Sequence, residues 1–138
     1  FEKYRKHYGQ SAVDTVLKGF ADLLHRHTRE TDLLARAGEA EFVTMMDCAP
    51  GDALVAAQRL VGMARRTPFR FGSSSLKIAV SGGVAGYPDH TGSSAEMLRL
   101  AAEAVQLARS RGQGQCALYL RAAMRMETTA TALPVDRL

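Results

Sequence analysis

Val13, Val16, Leu17, Phe20, Leu23 and Leu24 recur at the three- and four-residue spacing of one helix face, and two short apolar runs follow them at once. A stripe of that kind has to be buried against another element. The runs are Asp32–Ala37 and Glu41–Met46, placed around Gly38-Glu39-Ala40, which is the pattern of a β-hairpin. The helix is predicted over Ser11 to His27. Ser11 suits its cap, and Asp14 supplies a favourable charge near the amide end.

The alternation continues along the chain. Phe1–Tyr8 reads as an amphipathic helix closed by Gly9, and Pro50-Gly51-Asp52 opens a helix to about Arg65 with Leu54, Ala57, Val61 and Ala64 on one face. Pro68–Ser75 reads as loop or edge strand. Leu76–Ala85, rich in Ile and Val, is predicted as a strand, and Gly86–Ser94 as turns. A last helix runs from Ser94 or Ala95 to Arg111, ended by Gly112, and a last strand from Gln115 to Leu120. Helices interleaved with hairpin strands indicate an α/β sandwich with a mainly antiparallel or mixed sheet flanked by helices. The domain is placed at 1–121, with 122–138 as a linker or tail.

Composition excludes several classes. A chain of 138 residues buries roughly two-thirds of its unfolded surface, enough for one core without disulfides. Cys48 and Cys116 form no C-x-x-C pair and read as buried free thiols in a reducing cytosol; Met45 and Met46 read as sheet core. No apolar run nears the ~20 residues that span a bilayer. A net charge of +4 favours anionic partners without being a nucleic-acid signature. His7, His25, His27 and His90 have no metal-ligand spacing, and Arg65, Arg66 and Arg70 read as a solvated helix end. Phe1 is not a natural start, so the chain is expected to be a piece of a longer protein.

Several blocks resemble the GGDEF domain, the bacterial diguanylate cyclase family, and the resemblance reaches to about Arg121. Phe1, Gly9, Asp14 and Leu17 fall where the family has F-K-x-x-N-D-x-x-G-H-x-x-G-D-x-x-L, and Arg36–Phe42 falls on R-x-G-G-D/E-E-F. Val80-Ser81-Gly82-Gly83-Val84-Ala85 is similar to V-S-I-G-V-A, and Leu100–Arg109 with Gly112 to the family's last helix. The resemblance implies a nucleotidyl-cyclase-like sandwich with a mostly antiparallel sheet. It also implies a central strand just before Phe1, expected either in an N-terminal part of the longer protein or replaced by something else that fills its slot.

The resemblance further implies which positions carry the cyclase reaction, in which divalent metals offset triphosphate charge. A metal carboxylate belongs at Ala40, which has no ligand atom, and a glycine at Glu39, which adds bulk and negative charge; the other metal aspartate would lie before Phe1. Gly38, Glu41 and Phe42 are retained, Phe42 as core. The guanine-reading Asn and the Asp after it fall on Arg5 and Lys6; Asp14 keeps its position behind Val13 in place of a glycine. Arg109 keeps a positive charge, and Gln113 replaces a phosphate-binding arginine. These departures imply no catalytic residue, no metal and no cofactor, hence no cyclase activity.

The product site reads differently. In the family an R-x-x-D motif ends five residues before the hairpin signature and binds cyclic di-GMP; Arg29 and Asp32 match it, with Leu33–Ala37 as the spacer. An arginine fork can donate to guanine O6 and N7, and a carboxylate can accept from N1–H and N2–H₂. Arg59, on the next helix, is assigned as the assisting arginine. Alone, Arg29 and Asp32 would be a solvated turn pair; their register against the hairpin turns the reading to a ligand site. The expectation is a non-catalytic cyclic di-GMP receptor in the bacterial cytoplasm, any membrane tether belonging to the rest of a longer protein. It would form a homodimer or contact another domain of that protein, without DNA, RNA or membrane insertion. The alternatives are a nucleotide-free dimerisation or regulatory scaffold and a residual GTP-binding regulator that keeps Asp14.

Overall fold

The computed structural model describes residues 2–87, 89–90 and 92–119. The chain runs α1 (Glu2–Tyr8), α2 (Gln10–His27), β1 (Leu33–Gly38), β2 (Glu41–Met45), α3 (Pro50–Arg66), β3 (Phe69–Phe71), β4 (Ser74–Leu76), β5 (Gly82–Val84), α4 (Ser94–Ser110) and β6 (Cys116–Leu118). This is a mixed helix-and-sheet fold. The sequence-predicted tail 122–138 and Phe1 lie outside the described residues.

α2 is the organising element. Ala12, Val13, Val16, Leu17, Phe20, Leu23 and Leu24 are all buried along one side of it. Each such side chain contributes roughly 1.5–3 kcal/mol if its whole apolar surface leaves water, alanine less. Leu60 and Ala64 of α3, Phe69, Leu76 and Ile78 complete the same core, with Leu34, Phe42, Met46 and Val80 half-buried against it. α1 and α2 are separate helices because Gly9 between them takes φ 86°, a left-handed value that a side chain would resist.

The cap expected at Ser11 is not there. α2 begins at Gln10 with Gly9 as its cap residue, and Ser11 lies inside the helix, its carbonyl accepting from Thr15 Oγ1 at 2.9 Å. Asp14 accordingly stands beyond the first turn, where the field of the helix end has faded.

β1 and β2 pair antiparallel from Leu33↔Met45 to Gly38↔Glu41, with a bulge between Arg36 and Gly38. Asp32, expected in the first strand, stands in the turn before it. β3 and β4 form a second hairpin across Gly72 and Ser73, resolving the segment read as loop or edge strand. The expected Leu76–Ala85 strand divides: Leu76 ends β4, and only Gly82–Val84 pairs again, in parallel with Cys116–Leu118. Parallel strands need a crossover, and α4 supplies it. Among the described residues the strands therefore form three two-stranded pairs, two antiparallel and one parallel, rather than one continuous sheet.

Three packing expectations are corrected. Met45 is 56% exposed, so of the two methionines Met46 alone packs on the core. Cys48 is exposed and Cys116 half-buried. Burial pushes the Cys116 thiol up from its ordinary range, partly offset by a backbone hydrogen bond from Gly82.

Candidate functional site

Two open grooves flank α2, one along its hairpin side and one at its C-terminal end. The first, about 510 Å³, lies between α2 and the β1–β2 hairpin and is lined by Asp14, Leu17, Lys18, Leu34, Arg36 and Phe42 among others. Of the positions that the sequence aligned with the cyclase pocket, Asp14 and Phe42 line it, with Arg36 of the hairpin signature.

The hairpin turn over this groove is held by two arginines. Arg36 Nε donates to the carbonyls of Gly38 at 3.0 Å and Glu39 at 3.1 Å, and its guanidinium carbon lies 5.9 Å from the Phe42 ring centroid. From α1, Arg5 Nη2 pairs with the Glu39 carboxylate. Arg5 Nε also donates to Gln10 Oε1 at 2.8 Å, and Gln10 Nε2 donates to Asp14 Oδ1 at 2.9 Å. A polar relay thus runs Glu39–Arg5–Gln10–Asp14, from the hairpin tip across α1 to α2.

Arg5 and Glu39, which the resemblance marks as two separate departures, are partners in space. The pair is partly solvated, with side chains 31% and 58% exposed, which limits its worth to at most about 1 kcal/mol. A double-mutant cycle of Arg5→Ala and Glu39→Ala in urea is expected to return a coupling of about 0.2–1 kcal/mol that shrinks in high salt. A coupling of zero would mean that the two side chains ignore one another in solution.

The turn does not fit a divalent metal. Ala40 offers no ligand atom, and the carboxylate of Glu39 is turned to Arg5. No group of three or more His, Cys, Asp or Glu capable of holding a metal occurs among the described residues. Gly38 sits at the bulge, close under the Glu41 carboxylate. Arg109 lies in the last turn of α4 and lines neither groove.

The second groove, about 550 Å³, lies between the end of α2 and the start of α3, and is lined by Arg26, His27, Thr28, Arg29, Asp52, Val55, Ala56 and Arg59. It brings Arg29 and Arg59 together from different elements. Arg59 Nη2 donates to the carbonyl of His27 at 3.2 Å, tying α3 to the end of α2. Val55, 65% exposed, forms with Ala56 an apolar wall. Asp32 is not among the lining residues. Its Oδ2 accepts the Arg29 backbone N–H at 2.9 Å, and its own N–H donates to the Arg29 carbonyl at 3.0 Å. The carboxylate therefore shapes the turn that presents Arg29.

Sequence reasoning missed Arg26 and Gln10, and read Arg36 only as the first letter of the hairpin signature. The spacing of Arg26, Arg29 and Asp32 by threes and of Gln10 to Asp14 by four was open to view. Nothing in sequence marked Arg36 as the clamp of its own turn. Among the described residues, no helix is long and apolar enough to cross a membrane.

Residues 1–115 match the family described as "Diguanylate cyclase, GGDEF domain". Diguanylate cyclase TpbB of Pseudomonas aeruginosa is 30% identical over 117 residues, covering 83% of this chain and 27% of TpbB. The chain thus spans about a quarter of the length of that relative. The crystal structure of the TpbB GGDEF domain, 28% identical, superposes with a TM-score of 0.82 over 87% of this chain and 76% of that one. The GGDEF domain of FimX from the same organism, 26% identical, gives 0.77 over 84% and 72%. At 18% identity, the GGDEF domain of DgcB from Caulobacter crescentus, solved in complex with cyclic di-GMP, shares the fold, with a TM-score of 0.76 over 87% and 70%.

Proposed function

The chain belongs to the diguanylate cyclase GGDEF-domain family, and from that premise we propose that it holds cyclic di-GMP without making it. The observation that carries the reading is the groove at the end of α2, where Arg29 and Arg59 meet beside Val55. A planar guanidinium can donate to O6 and N7 of a guanine or lie against its face, and an apolar side chain can cover the opposite face. Asp32, outside the lining, serves the site by holding the turn that presents Arg29, its Oδ2 accepting the Arg29 backbone N–H. Binding would act on a larger signalling protein only to the extent that its arrangements differ in affinity for the dinucleotide.

Support for the non-catalytic half comes from the hairpin turn. Ala40 stands where a metal carboxylate is required, and the Arg5–Glu39 pair crosses α1 to the hairpin tip, where the substrate's guanine and phosphates would approach. Titrating the 138-residue chain with cyclic di-GMP by calorimetry is expected to give saturable binding. Arg29→Ala is expected to weaken that binding by at least on the order of tenfold, the loss of one bidentate arginine contact. Unchanged affinity in that variant would overturn the receptor reading. Incubation with GTP and magnesium is expected to yield no cyclic di-GMP, and product formation would overturn the non-catalytic assignment.

A ligand-free scaffold is the second reading. It is favoured by Leu33 and Met45, which face one another across β1 and β2 and are 68% and 56% exposed. A wild-type titration without heat or saturation would turn the assignment to it.

A further inference from the structure

We propose that Arg26 is a phosphate-binding residue of the groove at the end of α2, making the site one for a dianionic dinucleotide rather than a single guanine base. The inference rests on the cyclic di-GMP reading and extends it.

The placement comes from the helix. Arg26 lies in the last turn of α2 and Arg29 in the turn just beyond its end, past the extended cap residue Thr28, and both line the groove with Arg59. Arg26 Nε donates to the carbonyl of Asp22 at 3.3 Å, which steadies the stem against its own helix and leaves the two Nη groups as the donor end. Arg59 is differently placed: its Nη2 is committed to the His27 carbonyl. A phosphodiester asks for a fork of parallel donors. Of the three arginines, Arg26 is the one that can offer it while Arg29 reads a base and Arg59 braces the wall.

The electrostatics ask for the same residue. The groove lies at the C-terminal end of α2, where unpaired carbonyls carry a partial negative charge of roughly half an electron. That end repels an anion unless cations outweigh it. Arg26, Arg29 and Arg59 face a single carboxylate, Asp52, so the lining carries an excess of two positive charges. Two phosphodiesters carry two negative charges. Without Arg26 the excess falls to one, set against the partial charge of the helix end.

The test is a calorimetric titration with cyclic di-GMP at low and high salt, using wild type, Arg26→Gln, Arg26→Ala, Arg29→Ala and Arg70→Ala. Arg70 is exposed on β3, lines neither groove, and controls for loss of one positive charge anywhere. Arg26→Gln keeps helix propensity while removing the charge. Both Arg26 variants are expected to bind on the order of tenfold more weakly at low salt, with a flatter salt dependence. Their thermal midpoints are expected to stay at the wild-type value, and Arg70→Ala to change affinity less than twofold. If Arg29→Ala loses binding while both Arg26 variants stay within twofold of wild type, the proposal is wrong and the receptor reading stands. An equal loss in Arg70→Ala would assign the effect to net charge and overturn the proposal. Weakening confined to a variant with a lowered midpoint would make Arg26 structural, overturning it likewise. If the wild-type chain fails to bind, the receptor reading and this proposal fall together.

Discussion

A Gly83→Ala variant is expected to melt on the order of 10 °C below the wild type, although the change adds one methyl group. Gly83 is the middle residue of β5, and α4 crosses directly above it. A Cβ built there would stand 2.5 Å from the Val105 amide nitrogen and 2.9 Å from the Ala104 carbonyl carbon, and closer still to the Ala101 carbonyl oxygen. All three atoms are helix backbone, so no side chain can swing aside. The helix has to lift, and it carries the buried Leu100, Ala104 and Ala108 with it, over Ala117 of β6. Overpacking of a core ordinarily costs about 1–3 kcal/mol, and a backbone clash belongs at the upper end. Near 3 kcal/mol, with about 3–5 °C per kcal/mol for a domain of this size, the midpoint falls by the amount stated. Gly51→Ala is the control. It sits in the first turn of α3 with nothing within 4 Å of its Cβ and no positive φ, and is expected to be neutral or stabilising by up to ~1 kcal/mol. Equal midpoints for the two variants would show that α4 does not rest on β5 as described.

The same strand marks where sequence stopped being legible. Leu76 and Ile78 are buried and Val80 half-buried between exposed Lys77 and Ala79, so the first half of the expected Leu76–Ala85 strand does alternate inward. Alternation reports a face, however, and a strand also needs a partner. Residues 77–81 have the face without the ladder, and the paired segment begins only at Gly82. α2 was legible because its stripe repeats over about three turns, from Val13 to Leu24, and the hairpin because Gly38-Glu39-Ala40 interrupts two apolar runs. Met45 was not, since its position in the strand points it away from the core while its residue type suggests the opposite. The site divided the same way. Arg29 and Asp32 stood out by spacing, but that Asp32 Oδ2 would bind the Arg29 backbone depends on a turn that residue types leave open. Arg5 and Glu39 read as two independent losses. Only the folding of α1 against the hairpin makes them one ion pair.

Phe20→Ala is expected to cost about 3–5 kcal/mol, a large fraction of the 5–15 kcal/mol that holds a domain of this kind together. Phe20 is 8% exposed on α2, and its ring meets that of Phe42 on β2 edge to face, with centroids 5.3 Å apart and planes at 81°. The deletion removes the buried area of one aromatic side chain and leaves a cavity that the backbone of α2 cannot close. It also loosens the seam that joins α2 to the hairpin, since Phe42 is the residue on which the Arg36 clamp rests. Phe42→Ala is expected to cost less, because Phe42 is only half-buried. The double variant is expected to cost less than the two single changes added together, by about 0.5–1.5 kcal/mol, the worth of one aromatic pair. Urea unfolding of the four proteins measures this directly. The groove at the end of α2 is lined by α2, the turn at Thr28 and Arg29, and α3, with no residue of the hairpin strands. Folded Phe20→Leu protein, in which the seam is weakened rather than emptied, is therefore expected to bind cyclic di-GMP as the wild type does. A Phe20→Ala cost below ~1 kcal/mol would show that α2 is not packed on the hairpin through this pair.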